Sequence, residues 1–111
     1  MSDILISALH ANEVLLNNAS SNVANMNTQD YKSLRTRLTS DSSGNVNAVT
    51  ERSTTEGVPT DDGHFTSNVE LPQEFTDMII AQRGFEAILS AISTREDMMN
   101  DLMNVLTDKT E

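Results

Sequence analysis

The two histidines of the chain each lie near acidic residues, an arrangement that a divalent metal ion would need. His10 precedes Glu13 by three residues, and His64 follows the run Asp61-Asp62-Gly63. A calcium-binding loop requires a glycine at its sixth position and acidic residues at its first and twelfth. With Gly63 or Gly44 placed sixth, the first and twelfth positions are valine or threonine. The sequence therefore predicts no metal site, and a plain turn at the Asp-Gly pair.

Patterns for catalysis are missing from the sequence. The chain has no cysteine, which excludes disulfides, cysteine-based zinc sites and thiol nucleophiles. It contains no Gly-x-Ser-x-Gly, and its four glycines are too few for a phosphate-cradling loop. The neighbouring acids Glu96 and Asp97 point apart on a helix and do not form an acid–base pair. We expect a protein that is not an enzyme and has no cofactor.

The charge balance excludes further classes of function. Seven Lys and Arg stand against seventeen Asp and Glu, a net charge of −10. Nucleic-acid binding needs a surplus of cations that releases counterions, and an anionic membrane surface repels such a chain. The opening Met-Ser-Asp-Ile-Leu-Ile lacks the basic region of a signal peptide, and no apolar run approaches the roughly 18–20 residues of a membrane span. We expect no nucleic acid, no membrane insertion and no cleaved signal.

Length and composition favour one small domain, residues 1–111. Only 37% of the residues are hydrophobic and 4% are aromatic, which is little for a solitary, well-packed core. This composition is typical of a chain that buries its apolar surface in long helices and covers that surface fully only against partners.

A first helix is predicted over residues 1–27. Apolar residues recur there in alternating steps of four and three, as in a coiled-coil seam. Six of the eight positions in this rhythm are apolar. They are Met1, Leu5, Ala8, Leu15, Ala19 and Met26, with Asn12 and Asn22 as the polar exceptions.

A second helix is predicted over residues 68–107. Ser67 and Asn68 are candidate capping residues, and Pro72 suits a first turn. Nine of eleven positions in the same rhythm are apolar, with Gln82 and Glu96 as the breaks. These nine residues form the predicted C-terminal seam: Leu71, Phe75, Met78, Phe85, Leu89, Ile92, Met99, Met103 and Leu106.

The C-terminal seam has two interpretations. About 35 helical residues at 1.5 Å rise give a rod of about 50 Å, which is too long for a small globule to cover alone. The stripe is either the core of an ordinary helical hairpin or a surface completed by other copies or other chains. The excess length and the few aromatic residues favour the second interpretation.

The connector, residues 28–67, is rich in Ser, Thr, Asn, Asp and Gly. The turn signal Asp41-Ser-Ser-Gly44 lies between two segments that can pair as a β-hairpin. Such a connector lets the two helices run antiparallel. Three of its basic residues are Lys32, Arg35 and Arg37. The preferred interpretation is a solvated strand face, and the alternative is that they form ion pairs across a subunit contact.

An asparagine-rich run ends the first helix. Asn and Ser are poor residues for a helix interior, so their presence in a heptad pattern needs a reason. Buried amides can hydrogen-bond across a helix–helix contact and fix its register. The other explanation is a frayed last turn.

The same run resembles the N-terminal signature of bacterial flagellar rod and hook proteins, Asn-x-x-Asn-(Leu/Ile)-Ala-Asn-x-Asn-Thr-x-Gly-(Tyr/Phe)-Lys. Together with Ala24, the matching residues form the predicted assembly motif: Asn18, Asn22, Asn25, Asn27, Thr28, Tyr31 and Lys32. Residues 67–71 and 78–87 resemble the closing motif of that family, which begins Ser-Asn-Val and continues Ala-Gln-Arg-(Ala/Ser)-(Tyr/Phe)-Glu-Ala.

Two departures from the signature concern the turn before the aromatic residue. Asp30 stands where the family has glycine, and Gln29 where it frequently has proline. Since Asp tolerates a left-handed conformation less well than Gly, we expect a different local turn. The middle domain is short, which is similar to the proximal rod proteins.

The two helical patterns and the connector predict a mainly α fold with two long antiparallel helices, and the resemblance implies a structural axial subunit of the flagellar basal-body rod. In that family the terminal helices pack into the inner tube of the rod. The implied partners are other copies, other flagellar axial proteins and the flagellar export apparatus, through which the chain would reach the periplasm-spanning rod without a cleaved signal. The alternative is a small helical-hairpin adaptor that binds a partner helix in an apolar groove.

Overall fold

The computed structural model describes the backbone of residues 2–110 and the side chains of residues 3–108. In chain order it contains helix α1 (Ser2–Ala24), strand β1 (Leu34–Ser40), strand β2 (Val46–Arg52) and helix α2 (Leu71–Thr110). The molecule is elongated, with extents of 82 × 25 × 14 Å. The predicted fold, two long helices joined by an irregular connector with a β-hairpin, is confirmed.

The two helices run antiparallel, as expected. Asn22 near the end of α1 bonds to Glu74 near the start of α2, whereas Asn12, earlier in α1, meets Gly84, later in α2. The β-hairpin also packs on α1, through bonds from Asn18 to both strands. Helix α1 therefore lies between the hairpin and α2.

Helix α1 ends three residues before the predicted end at residue 27. The amide of Asn25 still bonds the carbonyl of Ser21, and its side chain Nδ2 donates to the same carbonyl at 2.8 Å. This local bond competes with helix continuation, as short polar side chains do. The predicted seam position Met1 lies outside the described residues.

Helix α2 begins at Leu71 rather than at the predicted residue 68, and it continues to Thr110 rather than to 107. Asn68 does not cap the helix in the expected way. Its Oδ1 accepts from the Ser33 amide at 2.6 Å and its Nδ2 donates to the Thr55 carbonyl at 2.7 Å. Pro72 is the second residue of the helix, where the missing amide hydrogen has no cost.

The hairpin is ordered by its turn and by its contact with α1. Asp41 Oδ1 accepts the amides of Ser43 and Asn45, and Gly44 has a φ of 87°, which glycine adopts readily. The strands pair antiparallel from Leu34 opposite Arg52 to Ser40 opposite Val46. An isolated hairpin is marginal in water, and here the Ser7 hydroxyl of α1 accepts the Val46 amide at 3.0 Å.

The two ends of the connector lie side by side. The Asp30 amide donates to the Phe65 carbonyl at 2.8 Å, and the Asn68 amide donates to the Tyr31 carbonyl at 3.2 Å. Asp30 itself has a φ of 60°, so the left-handed turn for which glycine is suited is made here by aspartate, one of the non-glycine residues enriched in that region. The excursion between the two helices thus closes on itself.

The helix pair has a narrow core of small residues. Ala11, Leu15 and Ala19 of α1 and Ala81 of α2 are the buried hydrophobic residues among those described. Small side chains let the two backbones approach closely, and most large apolar groups remain outside this contact. Within the described chain, neither helix has a stretch both long and apolar enough to cross a bilayer.

Candidate assembly site

The predicted C-terminal seam divides into two parts in the structure. Its members Leu71, Met78, Phe85 and Ile92 are half-buried on the same face as Glu74 and Ala81, which are fully buried. The other five members are half or more exposed. These five are Phe75, Leu89, Met99, Met103 and Leu106.

The division arises from the phase of the stripe and from the length of α2. The face toward α1 alternates steps of three and four from Leu71, through Glu74, Met78 and Ala81. The predicted seam instead alternates steps of four and three from Leu71, through Phe75 and Met78. Both sets share one column of residues, and the second column of the predicted seam, with Phe75, Leu89 and Met103, points away from the helix contact. Met99 and Leu106 continue the shared column and are exposed because they lie toward the end of α2, which α1 does not cover.

Gly84 lies at a close approach of the two helices. A Cβ at this position would lie 2.4 Å from Oδ1 of Asn12, and Asn12 is buried, with its Nδ2 donating to the Ala8 carbonyl at 2.9 Å. Glycine in a helix interior costs about 1 kcal/mol relative to alanine. Here the absence of a side chain at Gly84 allows the helices to pack together.

Gly84→Ala is expected to lower the free energy of unfolding by about 1 kcal/mol, because overpacking of about 1–3 kcal/mol exceeds the gain in helix propensity. In an Asn12→Ala background the same change is expected to raise the free energy of unfolding, since the Asn12 side-chain amide no longer obstructs the added Cβ. Urea unfolding followed by circular dichroism measures both. Equal stabilisation in the two backgrounds would contradict the close approach.

The end of α2 extends beyond α1. Every described side chain from residue 93 to residue 108 is exposed, and we call residues 96–108 the overhang. It carries six large apolar residues that are each half or more exposed: Met98, Met99, Leu102, Met103, Val105 and Leu106. A contiguous apolar surface of this kind marks an interaction site. An apolar groove begins at Leu5 and continues along α2 through Ala91 to Leu102.

The predicted assembly motif lies mostly inside the subunit. Asn18 Nδ2 donates to the hydroxyls of Thr36 at 2.8 Å and Thr50 at 2.9 Å, which fixes α1 to both strands. Thr28 donates to Asn25 Oδ1 at 3.0 Å in the turn that follows α1. Asn27 is exposed and Lys32 is half-buried.

Asn22 is the centre of the motif and is 1% exposed. Its Oδ1 accepts from the Leu34 amide at 2.8 Å and from the Tyr31 hydroxyl at 3.0 Å. Its Nδ2 donates to the Leu34 carbonyl and to Glu74 Oε2, both at 2.8 Å. The amide therefore uses both donors and both acceptor positions and joins α1, β1 and α2.

Glu74 is a buried residue of the helix contact that the sequence pattern did not indicate. Its side chain is 0% exposed, and its Oε1 lies 3.1 Å from Nη1 of Arg35. Neither of these two atoms makes an aligned hydrogen bond, so their attraction is mainly electrostatic. A carboxylate in the first turn of a helix also has a favourable interaction with the helix dipole. The signal in the sequence was the three–four spacing that places Glu74 between Leu71 and Met78.

The three basic residues of the connector have different roles. Arg35 is paired with buried Glu74 within the subunit, which corrects the interpretation of a solvated strand face at that position. Arg37 is largely exposed and lies 3.5 Å from Glu51, in agreement with that interpretation. Across the residues that the structure describes, no three His, Asp or Glu are close enough to hold a metal ion.

Comparison with known families identifies both terminal regions. Residues 3–32 match the family described as flagella basal body rod protein. Residues 66–105 match the family described as flagellar basal body rod FlgEFG protein, C-terminal. The chain belongs to the flagellar rod and hook family of axial proteins. The two matched regions include Asn22 and Glu74, and Arg35 lies in the connector between them.

Individual relatives support the same family. The chain is 46% identical over 39 residues to the flagellar basal-body rod protein FlgG of Bacillus subtilis, covering 35% of this chain and 15% of that protein. It is 41% identical over 39 residues to the flagellar hook protein FlgE of Borreliella burgdorferi, covering 35% and 9%. It is 40% identical over 40 residues to the flagellar hook protein FlgE of Helicobacter pylori, covering 36% of this chain and 6% of that protein. The chain thus matches only a small part of each of these relatives.

Proposed function

We propose that the protein is a single-domain structural subunit of the flagellar basal-body rod that self-assembles through its terminal helices and catalyses no reaction. The observation that carries this proposal is the overhang, whose apolar side chains lie in solvent on one subunit. A monomer seldom exposes such a surface without a partner. Family membership supplies the partner class, namely other copies and other axial proteins.

The proposed assembly surface consists of the exposed part of the C-terminal seam and the overhang. Burying one such side chain contributes about 1.5–3 kcal/mol, so several together can offset the cost of association. The overhang lies at the end of α2 in an elongated molecule. A contact between this end and a different region of the next subunit would be heterologous and would build an open array.

The assembly motif has a supporting role in this proposal. Asn18, Asn22 and Tyr31 hold α1 against the hairpin and α2, and thereby set the direction of the helix pair that carries the seam. Asn27, which is exposed, and the outer part of Lys32 are the motif residues proposed to contact a neighbouring subunit. Export through the flagellar apparatus and location in the periplasm-spanning rod belong to the same proposal.

The variant Met99→Ser/Met103→Ser/Leu106→Ser tests the proposal. Its three sites are exposed, so the fold is expected to remain while assembly is lost. Assembly is measured by sedimentation of the purified chain at rising concentration and by electron microscopy. Motility is measured in a strain that has only the variant. The matched control is Val58→Ser, a 68% exposed residue of the connector, which is expected to assemble as the wild type does.

Normal assembly of the triple serine variant would contradict the role of the overhang. Binding to a different helical protein, with no association between copies, would instead favour the adaptor.

A further inference from the structure

We propose that residues 57–66 form a strap that Asp30 holds closed against the segment that follows α1, and that acid releases this strap while the two helices remain folded. The strap is a small antiparallel loop. Pro59 pairs with Phe65, the Thr66 amide donates to the Val58 carbonyl at 2.9 Å, and the Thr60 amide donates to the His64 carbonyl at 2.7 Å. This inference is independent of the proposed assembly function.

Asp30 contacts the strap with its backbone and with both carboxylate oxygens. Its amide donates to the Phe65 carbonyl at 2.8 Å, and its Oδ1 accepts the Phe65 amide at 2.8 Å. Its Oδ2 lies 2.7 Å from Nδ1 of His64. A weaker contact runs from Gln29 Nε2 to Asp62 Oδ2 at 3.3 Å. One residue therefore makes most of the bonds between the strap and the segment that follows α1.

Apolar burial contributes little to closing the strap. Val58 is 68% exposed, Pro59 is exposed and Phe65 is half-buried. Segments with few buried apolar contacts open locally at low free energy. The closed state of the strap therefore depends on its polar contacts.

The base of the strap is also fixed by a close backbone approach. A Cβ on Gly57 would lie 2.0 Å from the Thr66 carbonyl oxygen. The two ends of the strap thus touch, and its tip lies at residues 60–64.

Charge gives the strap its response to acid. The hydrogen bond from the Phe65 amide, followed by that from His64, holds the pKa of Asp30 below its ordinary value, although partial desolvation and the nearby Asp62 oppose this. The hydrogen bond from the Thr60 hydroxyl likewise lowers the pKa of Asp62. Lys32 and Glu56 are the other charged residues lining the cavity beside Asp30 and His64.

The direction of the effect follows from linkage. A carboxylate whose pKa is lower in the closed state stabilises that state fully above its ordinary pKa. The stabilisation is lost as pH falls through the lowered pKa. Since an aspartate ordinarily titrates near pH 4, the stabilisation begins to fall near that pH, and the strap opens as acid brings the pH below the lowered pKa of Asp30.

Amide hydrogen exchange of the full chain, followed by NMR between pH 6 and pH 3, tests the proposal. The reporter is the Phe65 amide, and the reference is the Asn68 amide, which bonds the Tyr31 carbonyl beside the strap. Protection of Phe65 relative to Asn68 is expected to fall about tenfold or more, the size expected on weakening a hydrogen bond to a charged group. Parallel loss of both amides would mean that the strap does not open separately from the residues beside it, and would overturn the proposal.

Three variants separate the role of Asp30 from that of its neighbours. Asp30→Asn keeps an acceptor oxygen but cannot ionise, so the acid dependence is expected to vanish. Asp30→Gly relieves the backbone at φ 60° but removes both acceptors, so Phe65 is expected to exchange rapidly at every pH. Asp61→Asn, one residue from Asp62 and exposed, is the control and should keep the wild-type response. Unchanged acid release in Asp30→Asn, or full protection in Asp30→Gly, would refute the strap.

Discussion

Asn22→Ala is expected to lower the free energy of unfolding by about 3–5 kcal/mol. The amide makes four hydrogen bonds in a site that is 1% exposed. Each buried partner left unsatisfied costs about 1–3 kcal/mol, and one of these partners is the buried carboxylate of Glu74. Because domains of this size have only about 5–15 kcal/mol of stability, the loss is large.

Asn17→Ala is the matched control for this change. Asn17 is an exposed asparagine in the same helix, and alanine is the better helix former there by several tenths of a kcal/mol. The two substitutions are therefore expected to have opposite signs in urea unfolding measured by circular dichroism. An Asn22→Ala variant within about 0.5 kcal/mol of the wild type, the usual scatter for surface changes, would contradict the network.

The second large effect is expected from a charge on the exposed column of the seam. Leu89→Asp is expected to abolish assembly and to leave the fold intact, because Leu89 is 55% exposed on the single subunit and would be buried only in the proposed array. Placing an unpaired charge in such an interface costs several kcal/mol. Loss of fibres in electron microscopy, with unchanged circular dichroism, is the expected result.

Phe85→Asp distinguishes the assembly surface from the helix contact. Phe85 is half-buried on the face that α2 shares with Ala81, so its change is expected to reduce helical content and stability as well as assembly. Identical behaviour of the two variants would mean that the two columns of the seam do not have separate roles. Normal assembly of Leu89→Asp would remove Leu89 from the proposed surface.

Local sequence patterns were sufficient to predict the elements of this fold. The helices followed from long apolar periodicity, and the hairpin followed from the turn at residues 41–44, whose bonds are made within a few residues of one another. Their antiparallel order followed from the compact connector. The helix ends differed by three residues at most from the predicted positions. At two of these ends, Asn25 and Asn68 make hydrogen bonds that the pattern does not encode.

The face of α2 that meets α1 could not be predicted in the same way. A hydrophobic pattern selects Phe75 and Leu89, whereas the structure buries Glu74. Burial of that carboxylate depends on Asn22 and Arg35, which come from two other elements distant in sequence. The role of Gly84 could not be predicted either, since the approach of Asn12 appears only when the helices are placed together.

The adjacency of the connector ends has a consequence for how members of this family can differ in length. Asp30 lies beside Phe65 and Tyr31 beside Asn68, so the middle segment leaves and re-enters the helical frame at nearly one point. The entropy of closing such a loop grows only logarithmically, about 0.6 kcal/mol for each doubling of its length. The matched residues make up 15% of the Bacillus subtilis relative and only 6% of the Helicobacter pylori one, so these relatives differ greatly in size. A frame that fixes its own exit and entry points accommodates small or large middle segments with little change in the stability of the helix pair.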